Sequence, residues 1–164
     1  MTDLKNNDFS ERLQAYYKME TECAEIYHSL VILFPEAGDL FKTLAEWEER
    51  HADIISISIG FSDIGGISDI IVPGELSMIN KTLDMTHNIM ISIEKDKITL
   101  KDILGMVLKM EESMGESYLY EVMTKRTDSE AISYLQQFYK DEKTHAEMIK
   151  EFMVNEGFNR EFTA

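Results

Sequence analysis

LAEWEERHADI, residues 44–54, and FYKDEKTHAEMI, residues 138–149, each carry a glutamate followed three residues later by a histidine: Glu48 with His51, then Glu142 with His145. Upstream of each motif stands another glutamate with a tyrosine seven residues beyond it. These are Glu20 and Tyr27 in KMETECAEIY (18–27), and Glu111 and Tyr118 in KMEESMGESY (109–118). The Glu–Tyr marks map onto one another by a shift of 91 (20 to 111, 27 to 118), and the Glu-x-x-His marks by 94 (48 to 142, 51 to 145). An internal repeat of a helix pair, each half holding two carboxylates and one imidazole, is what a carboxylate-bridged two-metal site in a four-helix bundle requires.

Working outward, four segments carry helical periodicity. The first runs from about Asp8 to Phe34, stopped by Pro35, with Leu13, Tyr16, Glu20, Tyr27, Val31 and Phe34 along one stripe. The second runs from about Glu36 to Ile59 and ends at Gly60, aligning Leu40, Leu44, Glu48, His51 and Ile55. Thr99 and Asp102 make a capping box that opens the third, which continues to about Lys125 through Leu104, Leu108, Glu111, Tyr118 and Val122. The fourth starts at Asp128 or Ser129 and ends at Gly157. It aligns Ile132, Leu135, Phe138, Glu142, His145, Ile149 and Phe152.

Links of a few residues join the first helix to the second and the third to the fourth, so each pair is expected to be an antiparallel hairpin. Between them, residues 60–98 contain Gly65-Gly66, Pro73-Gly74 and a Met-rich stretch from Glu75 to Ile93 that reads as a short helix. A crossover of that length lets the second and third helices run parallel. Either hairpin alone has one apolar stripe and could not close a core, so the whole chain, 1–164, is expected to be one domain.

Composition narrows the function. Thirty-one acids against 16 bases give a formal charge of −15, which argues against nucleic-acid and anionic-membrane partners, since both need clustered Lys and Arg. No apolar run approaches the roughly 18 residues of a membrane span. MTDLKNNDFSERL lacks the basic and apolar stretches of a signal peptide, and the single cysteine, Cys23, excludes an internal disulfide. A cytoplasmic protein is expected.

Residues three apart share a helical face, so Glu48 with His51 and Glu142 with His145 each aim two donors at one point. Carboxylate oxygens with imidazole nitrogens suit iron or manganese, and also zinc. Glu-x-x-His alone is cheap in so acidic a chain, because Glu25–His28 and Asp84–His87 imitate it. Glu25 and His28, however, lie off the Glu20–Tyr27 stripe, and the shift of 91 sets Leu119 opposite His28. The six candidate metal ligands are therefore Glu20, Glu48, His51, Glu111, Glu142 and His145. Tyr27 and Tyr118, the candidate catalytic tyrosines, read either as core packing or as hydrogen-bond donors to ligating carboxylates. Trp47 and Tyr139 read as helix-interface residues, and Cys23 as buried and inert.

The four quoted strings together resemble the ferritin-like di-iron superfamily, and its rubrerythrin branch most, over essentially the whole chain. The resemblance implies a ferritin-like four-helix bundle, all-α, binding two iron ions, with manganese or a mixed pair open to the same ligands. Glu20 and Glu111 would each favour one iron, Glu48 and Glu142 would bridge, and His51 and His145 would each cap one iron. It implies an oxidoreductase that reduces hydrogen peroxide or O2. Rubrerythrins proper append a rubredoxin domain with paired cysteines. This chain has none, so its electrons would come from an external donor protein. Met114 stands where a rubrerythrin tends to carry a seventh, glutamate ligand, which brings the set closer to bacterioferritin. Iron oxidation for storage or delivery, and a non-enzymatic metal-binding bundle, are the competing functions; a homodimer is the default assembly.

Overall fold

Leu13, Tyr16, Glu20, Cys23, Tyr27 and Leu30 advance by three and four residues alternately, and every one is fully buried. That spacing keeps one side of a helix against a partner. In the computed structural model of the chain these residues lie on α1 (Thr2–Leu33). The structure describes residues 2–62, 75–94, 98–113, 116–139 and 143–158; at 2–8, 61–62 and 116–119 it describes the backbone alone. A single 3-10 turn, Pro35–Ala37, follows α1, because Pro35 has no N–H with which to continue the helical ladder. Then comes α2 (Gly38–Ser62), on which Phe41, Leu44, Glu48, His51, Ile55 and Ser58 repeat the same spacing, again fully buried.

The two seams face each other in antiparallel register. Tyr27 stacks on Phe41 with ring centroids 6.2 Å apart, and two turns away Glu20 meets Glu48. Residue numbers thus fall on one helix as they rise on the other, the hairpin expected from the short link. Next in sequence, α3 (Leu76–Glu94) buries Ile79, Thr82, Thr86 and Ile89. It packs on α1, where Thr86 Oγ1 donates to Glu22 Oε2 at 3.1 Å, and on the following helix, where Ser113 Oγ lies 3.2 Å from Met85 Sδ. Gly65, Gly66, Pro73 and Gly74 of the expected crossover lie outside the described residues.

The second half is more segmented. Helix α4 (Leu100–Ser113) opens on the expected capping box: Asp102 N–H donates to Thr99 Oγ1 at 3.2 Å, and Thr99 N–H donates back to Asp102 Oδ2 at 3.2 Å. Helices α5 (Glu116–Thr124), α6 (Glu130–Gln136) and α7 (His145–Asn155) follow, with Ser129 as the N-cap of α6. α5 packs on α6 and α4 on α7, so this half nests as a second hairpin. α2 also touches α7, and buried apolar side chains from each of the helices α1 to α7 form one cluster. The described residues are all-α, and no helix among them is long and apolar enough to cross a membrane.

Three expectations are corrected. α1 begins at Thr2 rather than near Asp8, and α2 runs through Gly60 to Ser62. The fourth segment is not one helix. α6 ends with Gln137 as its C-cap, Thr144 is extended, and α7 starts afresh at His145. Thr144 and Glu147 form a capping box that satisfies the new N-terminus, which is why the chain can interrupt the helix there. Phe138, expected on the core stripe, is in consequence 40% exposed. Gly157 does end the last helix, at φ 74°.

Leu44 sits fully buried in the α1–α2 seam, one turn before Glu48. Leu44→Ala is expected to lower unfolding free energy by about 2–5 kcal/mol, measured by urea titration of the metal-free protein. A loss well under 1 kcal/mol would show that this seam is not close-packed.

Candidate metal centre

Five of the six candidate ligands converge. Glu20 comes from the middle of α1, Glu48 and His51 from the middle of α2, Glu111 from α4 and His145 from the first position of α7. All have 0–1% exposure. They form two groups that share one residue: Glu20, Glu48 and His51, and Glu48, Glu111 and His145, with the ligand atoms of each group within 4.8 Å of one another. Glu142, the sixth candidate, lies outside the described residues. Among the described residues that follow it, Thr144 is extended and His145 opens α7.

Glu48 divides its carboxylate between the two groups. Its Oε2 stands 3.6 Å from His51 Nδ1, and its Oε1 stands 3.1 Å from His145 Nδ1. His51 Nδ1 is also 3.5 Å from Glu20 Oε2, and His145 Nδ1 is 3.6 Å from Glu111 Oε2. Two ligands bound to one ion at about 2.1 Å, roughly 90–110° apart, stand about 3.0–3.4 Å from each other. The observed separations are close to that, so little movement would be needed to close on a metal.

The hydrogen bonding gives the same result. Both oxygens of Glu20, Oε2 of Glu48 and Oε2 of Glu111 are buried and accept no hydrogen bond from a described residue. Buried carboxylates left so would cost several kcal/mol each. Cations between them would remove that cost, and the mixed oxygen–nitrogen donor set suits iron, manganese or zinc. The residues present therefore fit a pair of divalent ions.

Electrostatics follow from burial. Glu20 is held well above the usual carboxylate range, first by loss of water and then by the neighbouring charge of Glu48, with His51 opposing. Burial pushes Glu48 upward too, but the charge of His145, aided by Glu20 and His51, outweighs it and leaves Glu48 well below that range. The Tyr27 hydroxyl donates to Glu111 Oε1. Burial, then the charges of Glu111 and Glu48, push its phenol well above the ordinary value. Tyr27 is thus a donor to the candidate ligand Glu111, as its spacing allowed, and not packing alone. Helix α5 includes Tyr118, but that side chain lies outside those described.

Two residues read as interface packing belong to the site. The Trp47 ring lies 5.5 Å from that of His145, and Tyr139 stacks on His51 at 5.5 Å and 9°. The histidines themselves stack at 5.1 Å and 6°, so four rings form a column. The pairing is crossed: each aromatic packs on the histidine that is remote from it in sequence. An aromatic next to each motif was visible in AEWEE and FYKDE, but which imidazole it covers is set by helix packing. Of the two imitations, His28 reaches Glu49 at 2.8 Å on the exposed outer face, and Asp84 and His87 are exposed on α3.

Comparison with protein-family models, curated proteins and solved structures finds no match for this chain.

Two consequences follow for the metal-free protein. Because burial and Glu48 oppose ionisation of Glu20, its contribution to stability is whole below its unfolded value of 4.5 and is lost as pH rises through the higher folded value. Glu20→Gln is therefore expected to stabilise the metal-free chain at pH 7 by on the order of 1 kcal/mol, read as a higher urea midpoint. An unchanged or lower midpoint would contradict a buried, uncompensated carboxylate.

Tyr27, raised likewise, contributes stability that is whole below its ordinary value of 10.0 and fades as pH climbs through the folded one. In the folded chain at pH 10, wild type and Tyr27→Phe should show equal ionised-phenol absorbance. After unfolding at the same pH, wild type should show more. A wild-type excess already present before unfolding would place the Tyr27 hydroxyl in water.

Proposed function

We propose that this chain is a carboxylate-bridged di-iron oxidoreductase of the ferritin-like, rubrerythrin-related kind. On this reading α1, α2, α4 with α5, and α6 with α7 are the four limbs of the ferritin-like bundle, and α3 is the crossover helix. The observation that carries the proposal is the position of Glu48, whose two oxygens face two different imidazoles inside a core from which water is excluded. The recurring Glu and Glu-x-x-His marks support it, as does the resemblance they carry.

Glu20 with His51 would hold one ion, Glu111 with His145 the other, and Glu48 would bridge them, with Glu142 completing the set. The chemistry supplied by two ferrous ions is the two-electron reduction of peroxide, with two protons, to two waters, or a corresponding reduction of O2. Tyr27 keeps a proton at Glu111 Oε1 and leaves only that carboxylate's Oε2 open. Trp47 and Tyr139 cover the imidazoles and limit the access of water to the centre. Cys23 is the one cysteine in these 164 residues, so they hold no cysteine-ligated iron relay, and on this reading electrons would reach the centre from a donor outside them.

Met114 favours a second reading, iron oxidation for storage or delivery, because a seventh carboxylate is missing from that position of the sequence. One experiment separates them. Protein loaded anaerobically with Fe(II) should hold about two ions per chain, about one in Glu20→Ala and none in the bridging variant Glu48→Ala. On mixing with peroxide, the loaded protein should consume about one peroxide per two irons and recover with added reductant. Turnover that continues only with excess Fe(II), building a growing ferric product, supports the storage reading. Fewer than one metal per chain in the wild type sinks both.

A further inference from the structure

His145 is the first residue of its helix. Thr144 before it is extended, at φ −74° and ψ 155°, and the bonds that start α7 come from its own capping box. Glu147 N–H donates to Thr144 Oγ1 at 3.3 Å, and Thr144 N–H donates to Glu147 Oε2 at 2.8 Å. The direction in which the imidazole leaves the backbone is thus set by where α7 begins, not by a helix arriving from α6. Ile149 and Met153, four and eight residues on, are buried on the same face and fix the rotation of the helix. Lys150 Nζ, 2.6 Å from Glu112 Oε1, ties α7 to α4 beside Glu111.

The other group has no such dependence. Glu20, Glu48 and His51 lie at least ten residues from the nearest end of α1 or α2. Their backbone is held by helical bonds on both sides, which no single side chain governs.

We infer that Thr144 and Glu147 are positioning residues for the Glu48–Glu111–His145 metal position. The two positions of one centre are then set by different means, one by helix interiors and the other by a cap. This rests on the two-metal reading above. Loss of the cap lets the first turn of α7 fray, and metal binding at His145 must then reorder it. The expected cost is about five- to tenfold in affinity at that position, the size of a lost cap expressed as an equilibrium constant, with little effect at Glu20–Glu48–His51.

The test is anaerobic Fe(II) titration by calorimetry, with the emission of the sole tryptophan, Trp47, recorded alongside. His51→Ala and His145→Ala assign the two binding steps. Because the Trp47 ring lies 5.5 Å from His145, the step that quenches it more strongly should be the one lost in His145→Ala. Thr144→Ala should weaken that step alone by about five- to tenfold, and Thr144→Ser should restore it. Thr99→Ala removes the matching box on α4 and serves as the stability control; it should leave the ratio of the two steps unchanged. If Thr144→Ala does not fold, Glu147→Ala removes the bonds that Thr144 N–H and Oγ1 donate to its carboxylate, leaves its own N–H bond to Thr144, and is read the same way. Unchanged steps in a folded cap variant, or both steps weakened equally, overturn the inference while leaving the two-metal reading intact. Wild type that binds fewer than two ions overturns that reading and the inference with it.

Discussion

The Glu48 carboxylate is the constraint on which the rest of the structure depends. It stands fully buried between two imidazoles, with Glu20 on one side and Glu111 on the other. Three like charges so close, away from water, repel one another and lose hydration together. In the metal-free chain the protein answers in part by protonation, with Glu20 pushed up and Glu48 held down. The remaining cost is met by packing. Six alternating positions on each of α1 and α2 close against each other, and two glutamates and a histidine occupy places that a plain coiled seam would fill with leucine. The length of those helices follows from this, since apolar turns on both sides must anchor each polar one.

Much of this was legible because both signals are periodic. The three–four spacing of buried residues on α1 and α2 can be read without knowing what they touch, and the short link through Pro35 fixes their antiparallel sense. Glu20, Glu48, His51, Glu111 and His145 could be picked out for the same reason: each interrupts an apolar stripe with a group that water would otherwise claim. What escaped was non-periodic. Continuous apolar spacing from Ile132 to Phe152 read as one helix, but the local bonds of Thr144 with Glu147 offset the loss of helical bonds and end that continuity. The capping box at Thr99 and Asp102 was found because it preceded a periodic run, whereas the one at Thr144 and Glu147 lies inside an apparent run. Trp47 and Tyr139 escaped for another reason. Their partners are set by the crossing of α2 and the α6–α7 limb, and sequence adjacency to one histidine says nothing of that.

The two halves repeat their donors but not their scaffold. In the first, Glu20 and the Glu48–His51 pair project from uninterrupted helices. In the second, Glu111 projects from α4 and His145 opens α7. A side chain at a helix terminus, as His145 is, is held by fewer backbone bonds than one in the middle, so its position depends more on side-chain contacts. Those contacts are present: Tyr27 to Glu111, Lys150 to Glu112, Trp47 against His145. Tyr27 and Trp47 come from the first hairpin. The first hairpin thus supplies contacts to the segmented half, and the donor to Glu111 is carried by the same helix as Glu20.

That division bears on where the centre could yield. Opening the Glu20–Glu48–His51 group would require separating α1 from α2 along a seam of fully buried side chains, which costs a large share of the stability of a small domain. Moving His145 requires only that the start of α7 give way, at the expense of a cap and a few ring contacts. Glu48, shared by the two groups, belongs to both environments, so any displacement of His145 is felt at its Oε1 while its Oε2 faces His51 of its own helix α2. The fold thus makes His145 the member of the cluster that can move at the lower energetic cost.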